Sequence, residues 1–441
     1  MKRDIEAKLH SWKDQKDRLP LLIRGARQVG KTYCIEQFGQ RTFAKIITIN
    51  FELQGHLKAC FDTLEPVDII NKLQLILNEK IEAGKNLLFL DEIQECPKAI
   101  MALRYFKEKM PDLHVIGAGS LLEFALNSEE FRMPVGRVQY IYMYPLSFGE
   151  FLAAIGHDQL RFFLSQVSLK ENIDSVIHDK LLDLVRQYCI LGGMPAVVQQ
   201  YVKTKDFIVC QNTQAAILET YKSDFGKYTS KANHKYLRQL FEAAPRLVGQ
   251  RFKYVLVDPL TKSRELKKAF ELLVLAELIH PVYASIASGI PLGAQFNENK
   301  FKIIFLDAGL TQFACGLQKD IFLKQDIMQI NAGAVAEQFV GQELIAYESA
   351  YIHQPLYFWA RDKKGSSAEV DFVLNRESRV IPVEVKSGKT GILKSLKIFL
   401  NEKKASLGIR ISKNPLSWHE QIISVPLYMV GEIPRLLSTL V

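Results

Sequence analysis

Residues 25–32 are Gly-Ala-Arg-Gln-Val-Gly-Lys-Thr, preceded by the apolar run Leu-Pro-Leu-Leu-Ile and followed by a helical pattern from Tyr33. A strand, a glycine-containing loop and a Lys-Thr pair opening a helix form the context in which the G-x-x-x-x-G-K-[ST] motif binds phosphate. Gly25 and Gly30 permit the torsions that turn loop N–H groups inward. The stretch predicts a nucleotide-binding α/β domain; an accidental glycine turn is the alternative, and the flanking strand and helix weigh against it.

The chemistry of this loop predicts its ligands. Lys31 is expected to reach the outer phosphates of ATP, and the Thr32 hydroxyl is expected to bind Mg²⁺. ATP and Mg²⁺ are therefore the expected cofactors. The residues expected to contact the nucleotide are Gly25, Ala26, Arg27, Gln28, Val29, Gly30, Lys31, Thr32 and Tyr33.

A second apolar strand, expected over residues 86–90, ends at the acid pair Asp91 and Glu92. Ligands of open α/β sheets collect at the carboxyl ends of the strands. Asp91 is expected to hold Mg²⁺ through water, and Glu92 to polarise the attacking water, because hydrolysis needs charge neutralisation and a positioned nucleophile. Alone, the pair is also typical of an ordinary strand end; about 60 residues after a phosphate loop, it indicates a hydrolytic site.

Two further residues are candidates for the same site. Ser120 follows the next apolar strand, and its hydroxyl could sense the γ-phosphate. Arg137 follows Gly136 and could stabilise transition-state charge, either in its own subunit or across an interface. The alternative for Arg137 is an ordinary surface arginine.

A second constellation lies near the C-terminus. Alternation along 381–386 places Glu384 and Lys386 on one face of a strand, and a hairpin would bring Asp371 alongside Glu384. Two carboxylates can bind Mg²⁺ and a lysine can position water for phosphodiester cleavage, with Glu337 on an upstream helix completing the metal site. A half-buried hairpin with charged residues on its wet face is the alternative. An acid followed by E-x-K on adjacent strands resembles the restriction-endonuclease-like superfamily, whose hallmark Asp371, Glu384 and Lys386 match.

The chain as a whole resembles the prokaryotic AAA-superfamily ATPases that carry a C-terminal domain of unknown function with a nuclease-like core. The segments that carry the resemblance are GARQVGKT, FLDEIQECP, GAGSLLEF, GRVQYIYMYPLSFGEF, GGMPAVV, FLDAGL, AEVDFVLN and PVEVKSG. No mechanical role for PLSF, GGMP or DxGL follows from the sequence. The resemblance implies ATP binding, a winged helix between the two ends of the chain and, as a family-level analogy, a homo-oligomer.

The expected fold class is α/β, with a P-loop NTPase domain of the AAA type, a helical and winged-helix-like middle and a C-terminal α/β restriction-endonuclease-like domain. Apolar runs alternating with helical stretches up to residue 152 indicate a parallel sheet covered by helices. The expected domains are the ATPase domain (1–155), a helical lid-like region (156–221), a winged-helix-like domain (222–300) and a nuclease-like domain (301–441).

Length and composition indicate the number of domains, the state of the cysteines and the cellular compartment, but they identify no binding partner. The chain has 441 residues, of which 48% are hydrophobic, enough for about three domains. Its six cysteines are scattered without paired short spacings, so reduced thiols are expected instead of zinc or redox motifs. Neither a secretory leader nor an apolar run long enough to span a bilayer is evident, so the cytoplasm and no membrane partner are expected.

Charge permits DNA as a partner without requiring it. The net charge is +9, and eleven basic against three acidic residues occur between Lys227 and Lys268. Such an excess favours phosphate contacts, although a solvated helical face is the alternative. The candidates are Lys227, Lys231, Lys235, Arg238, Arg251 and Lys253.

Three functions compete. The first is an ATPase coupled to DNA binding and cleavage, which uses every motif. The second is a nucleotide-gated switch or scaffold that acts on a protein partner and whose C-terminal domain is catalytically silent. A small-molecule kinase is disfavoured, because no acceptor-pocket signature is evident and the C-terminal half is large.

Overall fold

The computed structural model describes residues 1–120, 136–228, 231–317, 333–361, 368–376, 378–386 and 393–440. The chain divides into two compact units. The first comprises Met1–Tyr144 with Ser349–His353, and the second comprises Pro145–Glu348 with Gln354–Val441. The first unit therefore ends about ten residues before the expected boundary at 155.

The first unit is built on a five-stranded, wholly parallel sheet with the order β2-β3-β4-β1-β5. Every residue of β3 and β4 is buried, as expected for strands covered by helices on both faces. The predicted parallel α/β architecture is confirmed for this unit. Its strands are β1 (Leu21–Arg24), β2 (Lys45–Asn50), β3 (Asn86–Asp91), β4 (His114–Ala118) and β5 (Gln139–Tyr142).

Helices pack their apolar sides on this sheet. Buried side chains such as Phe51, Phe61, Leu88 and Phe106 form a continuous core, and each contributes about 1.5–3 kcal/mol relative to exposure. The helices are α1 (Ile5–Lys13), α2 (Lys31–Thr42), α3 (Pro66–Leu77) and α4 (Pro97–Lys109), with 3₁₀ turns at Gly55–Phe61 and Ile93–Glu95.

The short segment Ser349–His353 belongs to the first unit although its chain neighbours belong to the second. The backbone N–H of Tyr142 donates to the Ala350 carbonyl at 2.8 Å, so the segment lies along the β5 edge. His353 also packs against the Tyr142 ring, with centroids 5.4 Å apart. No sequence pattern predicts that residues 349–353 belong to the first unit.

The second unit begins with a mainly helical region, which confirms the predicted helical middle. Between helices, 3₁₀ turns occur at Ala244–Leu247 and Tyr254–Leu256. The helices are α5 (Phe148–Ala154), α6 (Asp158–Gln166), α7 (Ser175–Leu191), α8 (Pro195–Thr204), α9 (Phe207–Tyr228), α10 (Lys231–Ala243), α11 (Ser263–Leu275), α12 (Ala308–Ala314) and α13 (Ala334–Ala346).

The three motifs without an assigned role, PLSF, GGMP and DxGL, meet in one buried junction. The Asp307 carboxylate accepts hydrogen bonds from the N–H groups of Gly193 (2.6 Å) and Leu310 (2.9 Å). Leu146 N–H donates to the Gly193 carbonyl at 2.7 Å. Gly192 has φ +76°, and a Cβ there would lie 2.0 Å from Asp307 Oδ1. The motifs therefore fasten together the ends of helices that are distant in sequence.

An eight-stranded mixed sheet completes the second unit, with the order β12-β13-β11-β10-β9-β8-β6-β7. Helices α14 (Lys394–Lys403) and α15 (Ile433–Ser438) accompany it, with 3₁₀ turns at Leu292–Gln295 and Leu427–Glu432. Its strands are β6 (Ile279–Ser285), β7 (Phe296–Phe305), β8 (Leu356–Ala360), β9 (Glu369–Arg376), β10 (Arg379–Val385), β11 (Gly408–Ser412), β12 (Ser417–His419) and β13 (Ile422–Pro426).

The expected boundary at residue 300 falls inside β7. Helices α10 and α11 followed by the β6–β7 hairpin have the chain order of a winged helix. The hairpin is not a separate wing, however, because β6 also pairs in parallel with β8. The expected domains 222–300 and 301–441 thus share one sheet.

No single helix in the described ranges has both the length and the apolar composition of a membrane span. Within the same ranges, one pair of helices, α7 and α8, passes the test when taken together, and the pair is bent by 118° at the break between them.

Candidate functional site

The loop between β1 and α2 adopts a conformation that depends on its glycines. Gly25 has φ +138°, and a Cβ there would lie 2.0 Å from the Met143 carbonyl oxygen. Gly30 has φ +94° and caps α2, which begins at Lys31. Gln28 is also left-handed, with φ +65°. The first-turn N–H groups of α2 therefore open toward this loop, as in an anion-binding helix terminus.

The loop side chains divide into inward and outward sets. Ala26 and Val29 are buried, so only their backbone can face a ligand. Arg27 approaches Glu52 at 3.8 Å, and Tyr33 is 52% exposed. The Lys31 ammonium donates to the Gly25 and Ala26 carbonyls, both at 2.8 Å. A buried cation is thus held within the loop, where an anionic phosphate would offset its charge.

Hard oxygen ligands gather beside the loop. Thr32 Oγ1 donates to Asp91 Oδ1 at 3.1 Å, and Asn50 Nδ2 donates to Asp91 Oδ2 at 3.0 Å. Burial, and secondly the negative charge of Glu92, raise the pKa of Asp91. A hydroxyl and a carboxylate in contact form a donor set suited to Mg²⁺, with water in the remaining positions.

The Glu92 side chain is oriented by a residue that sequence reasoning missed. Glu92 has φ +47°, and its Oε2 accepts a hydrogen bond from Gln94 Nε2 at 2.6 Å. Gln94 lies against Gly119, where a Cβ would be 2.1 Å from Gln94 Oε1. Ser120 follows at the same edge of the sheet and is 8% exposed. The structure therefore brings together the loop, Asp91, Glu92 and Ser120 at the carboxyl ends of β1, β3 and β4.

Arg137 lies at the other edge of this sheet. It precedes β5, which is parallel to β1 with Gln139 opposite Leu21, so it lies near the amino ends of the strands. Its Nε donates to Glu108 Oε1 at 3.2 Å on the surface. The position does not support action on the ATP of its own subunit. Action on a neighbouring subunit in a homo-oligomer stays a prediction.

The C-terminal candidates meet on the β9–β10 hairpin. Val383 pairs with Phe372, so the next residues along the strands, Glu384 and Asp371, are neighbours. Asp371 Oδ2 accepts from the Val385 N–H at 2.8 Å, and Lys386 Nζ lies 2.7 Å from Glu384 Oε1. Within the described ranges, the buried Glu384 Oε2 has no hydrogen-bond partner.

A lysine that the sequence did not single out lies among the acids. Lys302 Nζ is 2.7 Å from Glu369 Oε1, 3.0 Å from Glu337 Oε1 and 3.4 Å from Asp371 Oδ1. Its side chain is only 3% exposed. The carboxylate of Glu337, expected to complete a metal site, therefore has an ammonium partner.

Two of the basic residues expected to contact phosphates, Arg238 and Arg251, are paired with carboxylates in the structure. Arg251 binds Glu369 Oε2 through Nε (3.1 Å) and through its terminal nitrogen (3.0 Å), so it is an ion-pair partner at the acidic cluster. Arg238 donates to Glu242 at 3.0 Å. Lys235 is exposed, whereas the side chains of Lys227 and Lys231 lie outside the described residues.

Burial changes the acid–base behaviour of this cluster. It raises the pKa of Glu384 to about 7, reinforced by the charge of Asp371. It also raises the pKa of Glu337 to about 7, despite the opposing charge of Lys302. Burial opposes the charge on Lys302, but Glu337, Asp371 and Glu369 together outweigh it and raise the pKa of the lysine. The lysine therefore stays charged.

Comparison with known families agrees with the geometry of the first unit. The model of a family described as an AAA domain matches residues 17–152. The N-terminal domain is a P-loop domain of the AAA type. Two domains of unknown function match further along the chain, DUF8612 over residues 182–320 and DUF4143 over residues 332–429.

Solved structures similar to the chain include Aeropyrum pernix ORC1 in complex with DNA, with 12% identity, a TM-score of 0.31, and coverage of 73% of this chain and 94% of that one. Thermotoga maritima RuvB, a Holliday junction branch migration motor, has 16% identity, a TM-score of 0.29, and coverage of 67% and 91%. No curated protein matches the chain in sequence.

The match to an AAA domain supports ATP binding and hydrolysis at a general level for the N-terminal domain, and AAA ATPases in general use ATP with Mg²⁺. Sequence reasoning missed two residues of this AAA domain. Asn50 ends β2 opposite Asp91, a position that strand-end reasoning could have found. Gln94 gave no signal, because its role depends on its approach to Gly119 in the folded domain.

Proposed function

We propose that the chain is a Mg²⁺-dependent ATPase whose nucleotide state controls the binding and cleavage of DNA by the C-terminal cluster. The observation that carries the proposal beyond ATP hydrolysis is the convergence of Asp371, Glu384 and Lys386 on one hairpin. Glu384 there presents a buried oxygen that finds no hydrogen-bond donor in the described part of the chain. Such an oxygen is costly unless a cation or a proton satisfies it.

In the AAA domain, the loop N–H groups and Lys31 bind the phosphates. Thr32 and Asp91 would hold Mg²⁺, which supplies neutralisation of phosphate charge. Glu92 orients the attacking water and accepts its proton, while Gln94 fixes the Glu92 carboxylate. Ser120, at the same edge, contacts the γ-phosphate and distinguishes ATP from ADP.

In the C-terminal cluster, Asp371 and Glu384 would hold a divalent ion, which supplies electrophilic assistance to phosphodiester hydrolysis. Lys386, next to Glu384, stabilises negative charge developing on the phosphate. Exposed Lys235 and Arg238 on α10 provide contacts to the DNA backbone.

The steady-state ATPase rate tests the first half of the proposal. We expect turnover that DNA increases, and a decrease of about 10²-fold or more in Lys31→Ala and Glu92→Gln, because each removes a preorganised charge. Lys45→Ala is the matched control, since Lys45 is exposed at the amino end of β2. Turnover that persists in both site variants would exclude this assignment.

Nicking of supercoiled DNA with Mg²⁺ tests the second half. Lys386→Ala is expected to abolish it, whereas Lys397→Ala, an exposed lysine on α14, leaves it unchanged. Nicking that persists in Lys386→Ala would point to another site or to contamination.

The proposed DNA contacts have a test of their own. Lys235→Ala combined with Arg238→Ala is expected to reduce the stimulation of ATP turnover by DNA.

A second candidate is a nucleotide-gated switch with a silent C-terminal domain that acts on a protein partner. It is favoured by one observation: Lys302 and Arg251 already neutralise much of the acidic cluster. ATP binding without any response of turnover to DNA, and without Mg²⁺-dependent nicking by the wild type, would favour this candidate.

A further inference from the structure

The side chain of Lys302 makes contacts of the kind that a metal ion would make. Its ammonium contacts one oxygen each of Glu369, Glu337 and Asp371, at 2.7, 3.0 and 3.4 Å. A lysine ammonium has three N–H donors, so three carboxylates satisfy it completely. Its aliphatic stem is buried, and the ammonium also lies 5.5 Å from the centre of the Phe358 ring.

The three carboxylates are partly or fully withdrawn from water, which favours a cation beside them. Glu337 is buried, and Asp371 and Glu369 have side chains that are 18% and 31% exposed. An uncompensated charge is unfavourable in proportion to its burial, so the penalty is largest at Glu337. In many hydrolytic sites the compensation comes from divalent ions bound by two or three carboxylates. Here a residue of β7 provides it.

The carboxylate oxygens that do not contact Lys302 determine where a divalent ion can bind in the cluster. Asp371 Oδ2 accepts the Val385 N–H, and Glu384 Oε1 pairs with Lys386. Among the buried carboxylate oxygens of this cluster in the described ranges, only Glu384 Oε2 is without a hydrogen-bond partner. The buried oxygen that is left for a further cation therefore lies on the side of the cluster formed by Glu384.

We propose that Lys302 is a built-in cation that limits the cluster to one divalent ion, held beside Glu384, and excludes a second ion from the side formed by Glu337 and Glu369. The inference rests on the function proposed for the C-terminal cluster. Glu337 is then a positioning residue that holds Lys302, not a metal ligand.

The test is the number of Mn²⁺ ions bound by the full-length, nucleotide-free chain, measured by calorimetry and by electron paramagnetic resonance. Lys302→Met is expected to bind one more ion per chain than the wild type, and Lys302→Arg, which keeps the positive charge, to bind the same number as the wild type. The AAA domain is identical in all variants, so any ion that it binds cancels in the comparison. Equal numbers in Lys302→Met and the wild type would overturn the proposal.

Two further measurements keep the test decisive if Lys302→Met is unstable. Mn²⁺ is expected to raise the melting temperature of Lys302→Met more than that of the wild type, since the ion replaces the lost positive charge. An equal rise in both proteins would contradict the inference. Glu337→Gln retains an oxygen that accepts from Lys302, so the number of bound ions stays at the wild-type value. A decrease in that variant would make Glu337 a metal ligand and refute the assignment.

Glu384→Gln separates this inference from the proposed function. If the wild type holds an ion beside Glu384, this variant loses it. Loss of no ion would contradict the proposed nuclease site. Lys302→Met would still be expected to gain one ion, because the ligands of that ion, Glu337, Glu369 and Asp371, are intact in Lys302→Met.

Discussion

At the scale of single residues, the two candidate sites depend on side chains that hold the reacting groups in place. Gln94 fixes Glu92, Asn50 fixes Asp91, and Lys302 fixes three carboxylates. Asn50 and Lys302 lie outside the motifs that identify their sites, and Gln94 lies within the FLDEIQECP segment, although no role for it follows from the sequence. The same pattern occurs in the buried junction of the second unit, where Asp307 holds two backbone segments through N–H groups.

Gln94→Ala is expected to lower the kcat for ATP about tenfold, less than the roughly 10²–10⁴-fold that general-base catalysis contributes as a whole, because Glu92 itself remains. The KM for ATP should change little. The Glu92 carboxylate would lose its 2.6 Å hydrogen bond, but Lys31, Thr32 and Asp91 would be unaffected. Steady-state kinetics provide the measurement, and Gln40→Ala, an exposed glutamine on α2, is the control. An unchanged or increased kcat would show that Gln94 does not position Glu92.

Asp307 is expected to make stability depend on pH. Burial raises its pKa to about 6, against the hydrogen bonds that Leu310 and Gly193 donate. The folded protein thus keeps a proton that the unfolded chain releases near pH 4, so stability falls as pH rises from about 4 to 6. The pKa difference corresponds to about 3 kcal/mol across this window.

Urea unfolding at several pH values, comparing the wild type with Asp307→Asn, measures this effect. The variant has no carboxylate to titrate, so its stability should change less with pH across the window. It should also be less stable throughout, because the asparagine amide presents donors to N–H groups. Asp158→Asn, at an exposed aspartate on α6, is expected to track the wild type. Parallel curves for Asp307→Asn and the wild type would contradict the assignment.

At the scale of elements, the sequence was informative wherever a function depends on neighbouring residues in the chain. The strand–loop–helix at 21–42 and the β9–β10 hairpin both follow from local patterns, and the structure contains both. Lys302 could not be found in this way, because it contacts Asp371 across 69 residues of sequence. The sharing of one sheet by β6, β7 and the C-terminal strands is likewise a non-local pairing that hydrophobic periodicity does not encode.

The phosphate loop shows how tightly one element can be constrained. Gly25→Ala is expected to destabilise the AAA domain and abolish ATP binding, because φ +138° is strained for alanine and the new Cβ would lie 2.0 Å from a backbone oxygen. Strain alone costs about 1–3 kcal/mol. Gly55→Ala is the matched control, since a Cβ there meets nothing within 4 Å. Thermal unfolding and a fluorescent ATP analogue measure both effects; wild-type ATP affinity in Gly25→Ala would contradict the loop geometry.

At the scale of the whole molecule, the C-terminal cluster is assembled from two segments that match different family models. Glu337, Glu369, Asp371, Glu384 and Lys386 lie within the match at 332–429, whereas Arg251 and Lys302 lie within the match at 182–320. The division into families by sequence therefore does not coincide with the physical unit. Ion pairs and strand pairing both join residues of the match at 182–320 to residues of the match at 332–429.

A fragment of residues 333–441 is accordingly expected not to fold alone. Of the cluster residues that the structure describes, it would contain four acids and one cation, Lys386. In addition, β8 would lose β6, with which it pairs from Leu356 to Phe358. An exposed strand edge together with uncompensated acids favours aggregation or an unfolded chain. Circular dichroism and size-exclusion chromatography distinguish these states, and residues 145–441, which retain Arg251, Lys302 and β6, are the control. A monomeric 333–441 fragment that unfolds cooperatively would show that the segment matching DUF4143 folds without the rest of the chain. It would also show that the acids of this segment do not need Lys302 to balance their charge.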